Sequence, residues 1–216
     1  AFEKFKGSNT TLSTAMKSVG EVMAFGRSFE ESMQKALRSL EKDLDGFNDM
    51  VIGSPSHSQE QPHPDQIRAK LSDPTPTRIL YIAQAFRYGM SLDDIQAVTS
   101  FDPWFLERIK HIVDTEQDII KHGLPTSPEE WMRIKKIGFS DRRLATLVNV
   151  DESKVSTARL SHNITPVYKR IDSCAGEMPS PTPYMYSCYE GDGVNPATCE
   201  VQPSDKKKVI ILGGGP

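Results

Sequence analysis

The chain has 216 residues, of which 37% are hydrophobic and 25% charged, with a formal net charge of -3 at pH 7. That length accommodates one or two domains with a real core, and the slight acidity argues against a chain given over wholly to nucleic acid. No apolar run approaches the length of a membrane span, and Ala1 opens no signal-peptide pattern.

Residues 1–27 mix Phe2, Phe5, Leu12, Met16, Val19, Val22, Met23 and Phe25 with Gly7, Gly20 and Gly26. This mixture predicts strand and loop from a mixed fold, too short to build a core alone. Ser28 and Glu31 then stand in capping-box spacing. Phe29, Met33, Ala36, Leu37, Leu40 and Leu44 recur at three- and four-residue steps, so a helix is expected from Ser28 to about Gly46. Residues 53–66 carry almost no apolar side chain and three prolines, which predicts an exposed linker, because nothing there offsets the entropy of ordering.

The stretch Thr77–Asn163 reads as one complete helical block. A helix over Arg78–Tyr88 turns Ile79, Leu80, Ile82, Ala83 and Phe86 inward and stops at Gly89. Ser91 caps the next helix, with Ile95 and Val98 inward. Asp102-Pro103 starts a long helix that ends at Gly123, and Ser127-Pro128 starts another that ends at Gly138. Two short helices near 141–148 and 152–162 complete the set. After Asn163 the pattern changes: 166–172 and 184–189 read as β segments around a Pro-rich loop. Val209-Ile210-Ile211-Leu212 before Gly213 reads as a buried parallel strand delivering a βα turn. The open pattern at both ends predicts an interior piece of a longer protein.

Few residues suggest chemistry. Cys174, Cys188 and Cys199 are odd in number and lack CxxC spacing, so free thiols are expected. His57, His63, His111, His122 and His162 are scattered, without metal-ligand spacing. Asp93-Asp94 and Glu129-Glu130 fall at helix starts, where carboxylates serve as caps rather than as acid–base pairs. Trp104, Trp131 and the Tyr184, Tyr186, Tyr189 alternation read as core and sheet faces. Gly213-Gly214-Gly215-Pro216 fits a tight turn better than a phosphate loop, because neither GxGxxG nor a following Lys-Ser/Thr is completed. No catalytic, cofactor-binding or metal residue emerges.

One rival reading concerns 139–160. Two short helices around a tight turn resemble a DNA-binding helix-turn-helix, and Arg133–Arg170 holds nine Lys/Arg against three Asp/Glu, a local net of +6. Against it, the second helix opens with Asp151-Glu152, where phosphate donors are needed.

As a whole, the chain resembles the middle of the large chain of carbamoyl-phosphate synthase. Ala1–Phe5, Met16–Met23 and Gly26–Ser32 resemble the end of that family's first ATP-grasp synthetase unit. Asp102–Leu106 and Lys136–Asp141 resemble its helical oligomerisation domain. Pro166–Glu177 and Tyr184–Tyr186 resemble the passage out of that domain, and Val209–Pro216 the first strand and glycine turn of the second unit. The resemblance implies a mainly α fold, a small helical oligomerisation domain flanked by partial α/β edges of ATP-grasp type. The implied divisions are 1–52 as the end of the first unit, 53–66 as linker and 67–165 as the oligomerisation domain. They continue with 166–206 as a connecting β and loop segment and 207–216 as the start of the second unit. The resemblance also implies a parent enzyme that makes carbamoyl phosphate from bicarbonate, glutamine-derived ammonia and two ATP, with Mg or Mn. No cofactor is expected within this piece, which should be inactive alone. The implied partners are other copies of the chain and a glutaminase subunit or domain, with no nucleic acid and no membrane. The implied location is cytoplasmic, or organellar in some relatives.

Overall fold

The computed structural model describes residues 5–17, 21–52, 62–180, 182–195 and 197–213. Within them the chain forms α1 (Phe29–Ser39), α2 (Pro64–Ser72), α3 (Arg78–Arg87), α4 (Leu92–Thr99), α5 (Pro103–His122), α6 (Pro128–Ile137), α7 (Asp141–Val148), α8 (Glu152–Ser161), β1 (Val167–Arg170) and β2 (Met185–Cys188). The fold is mainly α with a small sheet edge, as the resemblance implies.

The helix starts are decided locally. Ser91, Ser127 and Ser140 each accept a hydrogen bond from the backbone N–H three residues on, and Asp102 accepts one from Trp104. These bonds satisfy donors that the first turn leaves without partners. Gly89, Gly123 and Gly138 end α3, α5 and α6 with positive φ. Ser100 and Asn149 do the same for α4 and α7 without being glycine.

The 20-residue α5 is the central beam, about 30 Å long. Its Leu106, Ile109, Ile112, Val113 and Ile119 are buried, and α1, α3, α4 and α7 pack against it. A single apolar cluster runs from Leu37, Phe47 and Ile52 through Leu71, Ile82, Ile95 and Trp131 to Val155 and Ile164.

Several expectations are corrected. Helix α1 ends at Ser39, well before Gly46, and Glu41 and Asp43 take left-handed backbone angles. The Asp- and Gly-rich run 43–46 favours turns, so the apolar spacing through Leu44 overshoots the helix. The linker expected at 53–66 lies at 53–61 outside the described residues, but Pro64 already begins α2. The Gln66 side chain there accepts from the His63 N–H, and His63 Nδ1 accepts from the Asp65 N–H. Ile67 and Leu71 give this polar helix its two anchors in the core. Described residues 5–17 and 21–28 form turns and irregular structure rather than strands.

The β segments 166–172 and 184–189 do pair, antiparallel, with Val167 opposite Cys188 and Arg170 opposite Met185. Val209–Leu212, expected as a buried strand, instead belongs to no strand and is 83–89% exposed. A parallel strand is stabilised only by neighbouring backbones and helices on both faces, and no described element is placed to supply them. Residues 1–4, 18–20 and 214–216, on which parts of the resemblance and the glycine turn rest, lie outside the described residues.

Candidate functional site: the charged joints of the helical unit

Three joints hold the helices to one another and to the hairpin, and each contains ionised side chains. The first lies under α5. Glu116 is fully buried on the same face as Ile112, Val113 and Ile119. Its Oε1 accepts from Arg143 Nε at 2.9 Å and Nη2 at 2.8 Å, and its Oε2 from Arg87 Nε at 3.0 Å and Nη2 at 2.6 Å. Asp49 adds a second carboxylate, 3.3 Å from each arginine. Arg87 also donates to the carbonyl of Phe47 and to Gln84 Oε1. Two cations thus face two anions, joining α3, α5, α7 and the loop at 47–49. Paired forks of this kind make a buried carboxylate tolerable.

The second joint ties α6, α7 and α8 to the segment after β2. Lys135, 4% exposed, donates to the carbonyl of Phe139 at 2.5 Å and to Asp141 Oδ1 at 3.0 Å. Its ammonium lies 5.1 Å from the ring centre of Tyr189. Arg159 forks onto Asp141 with contacts of 2.9–3.1 Å, and Ser156 donates to the same carboxylate. Burial pushes the Lys135 ammonium down to about 8, with Asp141 opposing the shift. Burial works to raise the Asp141 carboxyl, but hydrogen bonds from Arg159 and the charge of Lys135 outweigh it and hold it at about 2.

The third joint binds α1 to α6 and the hairpin. Gln34 Nε2 donates to the Ile137 carbonyl at 3.0 Å, and Arg38 Nη1 to the Gly138 carbonyl at 2.8 Å. A Cβ on Gly138 would sit 2.8 Å from Glu31 Cα, so only glycine permits this approach. Lys35 pairs with Glu31 at 2.7 Å and donates to the Ser187 carbonyl at 2.5 Å. Glu31 also accepts from the Arg27 N–H at 2.7 Å, while the Ser28 hydroxyl accepts from the Glu31 N–H. The capping box is present but returns one residue further back than its spacing implies. Through these contacts residues 29–52 share the core of the helical unit rather than standing apart from it.

Beside that joint lies an open cleft of about 490 Å³ lined by Arg27, Lys169, Tyr186, Glu190 and Glu200. Two of its cations are paired within it: Arg27 and Lys169 lie 3.2 and 3.0 Å from Glu190, while the Arg170 guanidinium donates to the Thr182 carbonyl. An anionic ligand at Arg27 or Lys169 would have to displace Glu190.

The residues singled out for chemistry do not converge. Cys174, Cys188 and Cys199 are free thiols. Burial and Glu190 push the Cys188 thiol up, away from the reactive thiolate. Asp94 and Glu130 act at helix starts, accepting from the Ser91 hydroxyl and the Thr126 N–H. His57 lies outside the described residues. Among the described residues no group of three His, Cys, Asp or Glu is placed to hold a metal ion. Trp131 is fully buried, but Trp104, expected in the core, is 49% exposed. Helices α7 and α8 do pack around a tight turn, yet Arg142, Arg143 and Arg159, with Lys135, are held in internal ion pairs. Much of the local positive charge is thereby engaged within the fold, and nothing in the structure supports the DNA-binding reading.

Glu116, Arg87, Lys135 and Asp141 went unread in the sequence. A signal existed: Glu116 and Lys135 each fall on the apolar stripe of an amphipathic helix, where a charge needs a buried partner.

Comparison with known proteins agrees with this architecture. The family model described as carbamoyl-phosphate synthetase large chain, oligomerisation domain, matches residues 21–163, and so includes α1 with the other helices. The chain is 51% identical to a carbamoyl phosphate synthase large chain of Brucella melitensis and 51% identical to one of Rhizobium meliloti. Each match takes in all of this chain but only 18% of the relative. A large chain of Pasteurella multocida is 49% identical, again over the whole chain and 19% of the relative. The chain therefore belongs to the carbamoyl-phosphate synthetase large chain family.

Proposed function

We propose that this chain is the connector and self-association segment of a carbamoyl-phosphate synthase large chain. The complete enzyme would make carbamoyl phosphate from bicarbonate, glutamine-derived ammonia and two ATP. In that reading the segment carries no chemistry of its own. ATP and Mg or Mn would be bound by parts of the enzyme outside these residues, and ammonia would come from a glutaminase subunit or domain. The observation that carries the reading is the similarity, over all of this chain, to relatives more than five times longer, together with a helical unit whose buried ionised residues are engaged in internal joints. A segment that must hold neighbouring units in register gains from a core cross-linked by buried charge, because such networks have one geometry in which all partners are satisfied.

No described helix is long and apolar enough to cross a membrane. The working location would be the cytoplasm or an organelle interior.

Two measurements on the purified 216-residue chain test the proposal. It should form no carbamoyl phosphate from ATP, bicarbonate and ammonia, and turnover would overturn the assignment of chemistry to other parts. In sedimentation velocity its mass should rise with concentration, and a monomer at every concentration would overturn self-association through this segment.

A further inference from the structure

At the start of α5 the helical unit presents aromatic side chains to solvent. Phe29, Trp104 and Phe105 form a closed triangle with ring centres 5.0–5.4 Å apart, all in edge-on geometry. Trp104 is 49% exposed and Phe105 42%. The Arg108 guanidinium lies 5.8 Å from the Trp104 ring centre and is held towards the buried Glu30, 3.5 Å away. Aromatic anchors stiffened by mutual packing and flanked by an arginine have the composition of an interaction hot spot. Along the rest of the exposed face of α5, Glu107, Lys110, Asp114, Gln117, Asp118 and Lys121 are polar and Ile120 alone is a large apolar residue. On α5 the aromatic exposure falls in the first turn, against the half-buried Phe29, where the chain arrives at α1 from residues 21–28.

We propose that this triangle is the seat of an interface inside the longer chain, covered by a part of the same large chain that lies outside residues 1–216. The inference rests on the preceding reading of this chain as a segment of a longer enzyme. Two arguments select the occupant. At the exposures given, Trp104 and Phe105 offer about 200 Å² of ring surface, against about 800 Å² per partner in a stable complex between free proteins. A patch of that size cannot hold two independent molecules together. It suffices within one chain, because a covalently tethered surface meets it at a high effective concentration. The second argument is length: the relatives extend over roughly five times this chain, so most of the molecule is available as that surface. The occupant is expected to be apolar over the two rings, with an oxygen acceptor at its rim facing Arg108.

Hydroxyl-radical footprinting of the complete enzyme tests this without a substitution that could unfold it. Peptide mapping in the same experiment first reports whether the chain extends beyond residues 1–216. If it does not, the reading of the chain as a segment fails, and that outcome is distinct from failure of the interface. If it does, Trp104 and Phe105 should be oxidised severalfold more slowly in the complete enzyme than their half-exposure in the segment allows. That protection should persist on dilution through the dissociation of any oligomer. Oxidation at the rate of a half-exposed ring would overturn the proposal. Protection that disappears on dilution would also overturn it, in favour of a second copy as the occupant.

Discussion

Replacing Glu116 with alanine removes the buried carboxylate on which two buried guanidinium forks converge. Arg143 is 2% exposed and the Arg87 side chain 8%, so neither can turn to water without opening the core. The variant loses four charge-assisted contacts of 2.6–3.0 Å. It keeps Asp49, but that carboxylate is 68% exposed and 3.3 Å from both arginines, too far into solvent to neutralise two cations. Breaking a buried pair by removing one partner costs about 3–5 kcal/mol, chiefly because the other charge stays buried. For a chain of this size each kcal/mol lowers Tm by about 2–4 °C, so the midpoint should fall by about 6–20 °C. Thermal unfolding followed by circular dichroism measures that fall, and an unchanged m-value in urea would show that the loss is one of stability rather than of compactness. The contrast variant is Glu129→Ala, an exposed carboxylate in the first turn of α6, where about 0.3–1 kcal/mol is at stake. Were Glu116→Ala to cost less than Glu129→Ala, the buried cluster would not be a joint at all.

The Lys135 ammonium titrates at about 8 in the fold against 10.5 when exposed. Between those values the unfolded chain binds the additional proton, so this group makes stability rise with pH through that window and adds nothing to the slope below it. Replacing Lys135 with methionine should remove the rise. The wild type should therefore gain on Lys135→Met by on the order of 3 kcal/mol between pH 8 and pH 10.5, and a constant difference in chemical denaturation would refute the buried, charge-stressed lysine. Gly138→Ala should cost more than about 1 kcal/mol, since the position combines φ of +101° with a Cβ 2.8 Å from Glu31 Cα. Hydrogen exchange should show the loss concentrated in α1, and uniform loosening of all helices would contradict the close approach assigned here.

The helices between Thr77 and Asn163 were legible because their boundaries are short-range. Ser91, Asp102, Ser127 and Ser140 each bond a backbone group two or three residues away, and Gly89, Gly123 and Gly138 stop helices through their own backbone freedom. Such signals are complete within four residues of sequence. The resemblance to the large-chain family was legible too, because motifs in a given order survive without knowledge of the fold.

What escaped the sequence was set at long range. Helix α1 belongs to the helical unit because Gln34 and Arg38 reach carbonyls 103 and 100 residues further on, and no local pattern announces that. Helix α2 has only Ile67 and Leu71 to bury among prolines and charges, so its stripe is too sparse to read before its neighbours are known. Glu116 and Lys135 looked like ordinary charges until the tertiary structure supplied Arg87, Arg143 and Asp141 as partners. The sequence alone determined where the helices of the central block start and stop and which family the chain resembles. Only tertiary structure decided which helices share a core, which charges are buried and which aromatic residues remain outside, because burial is a property of the assembled chain and not of any segment.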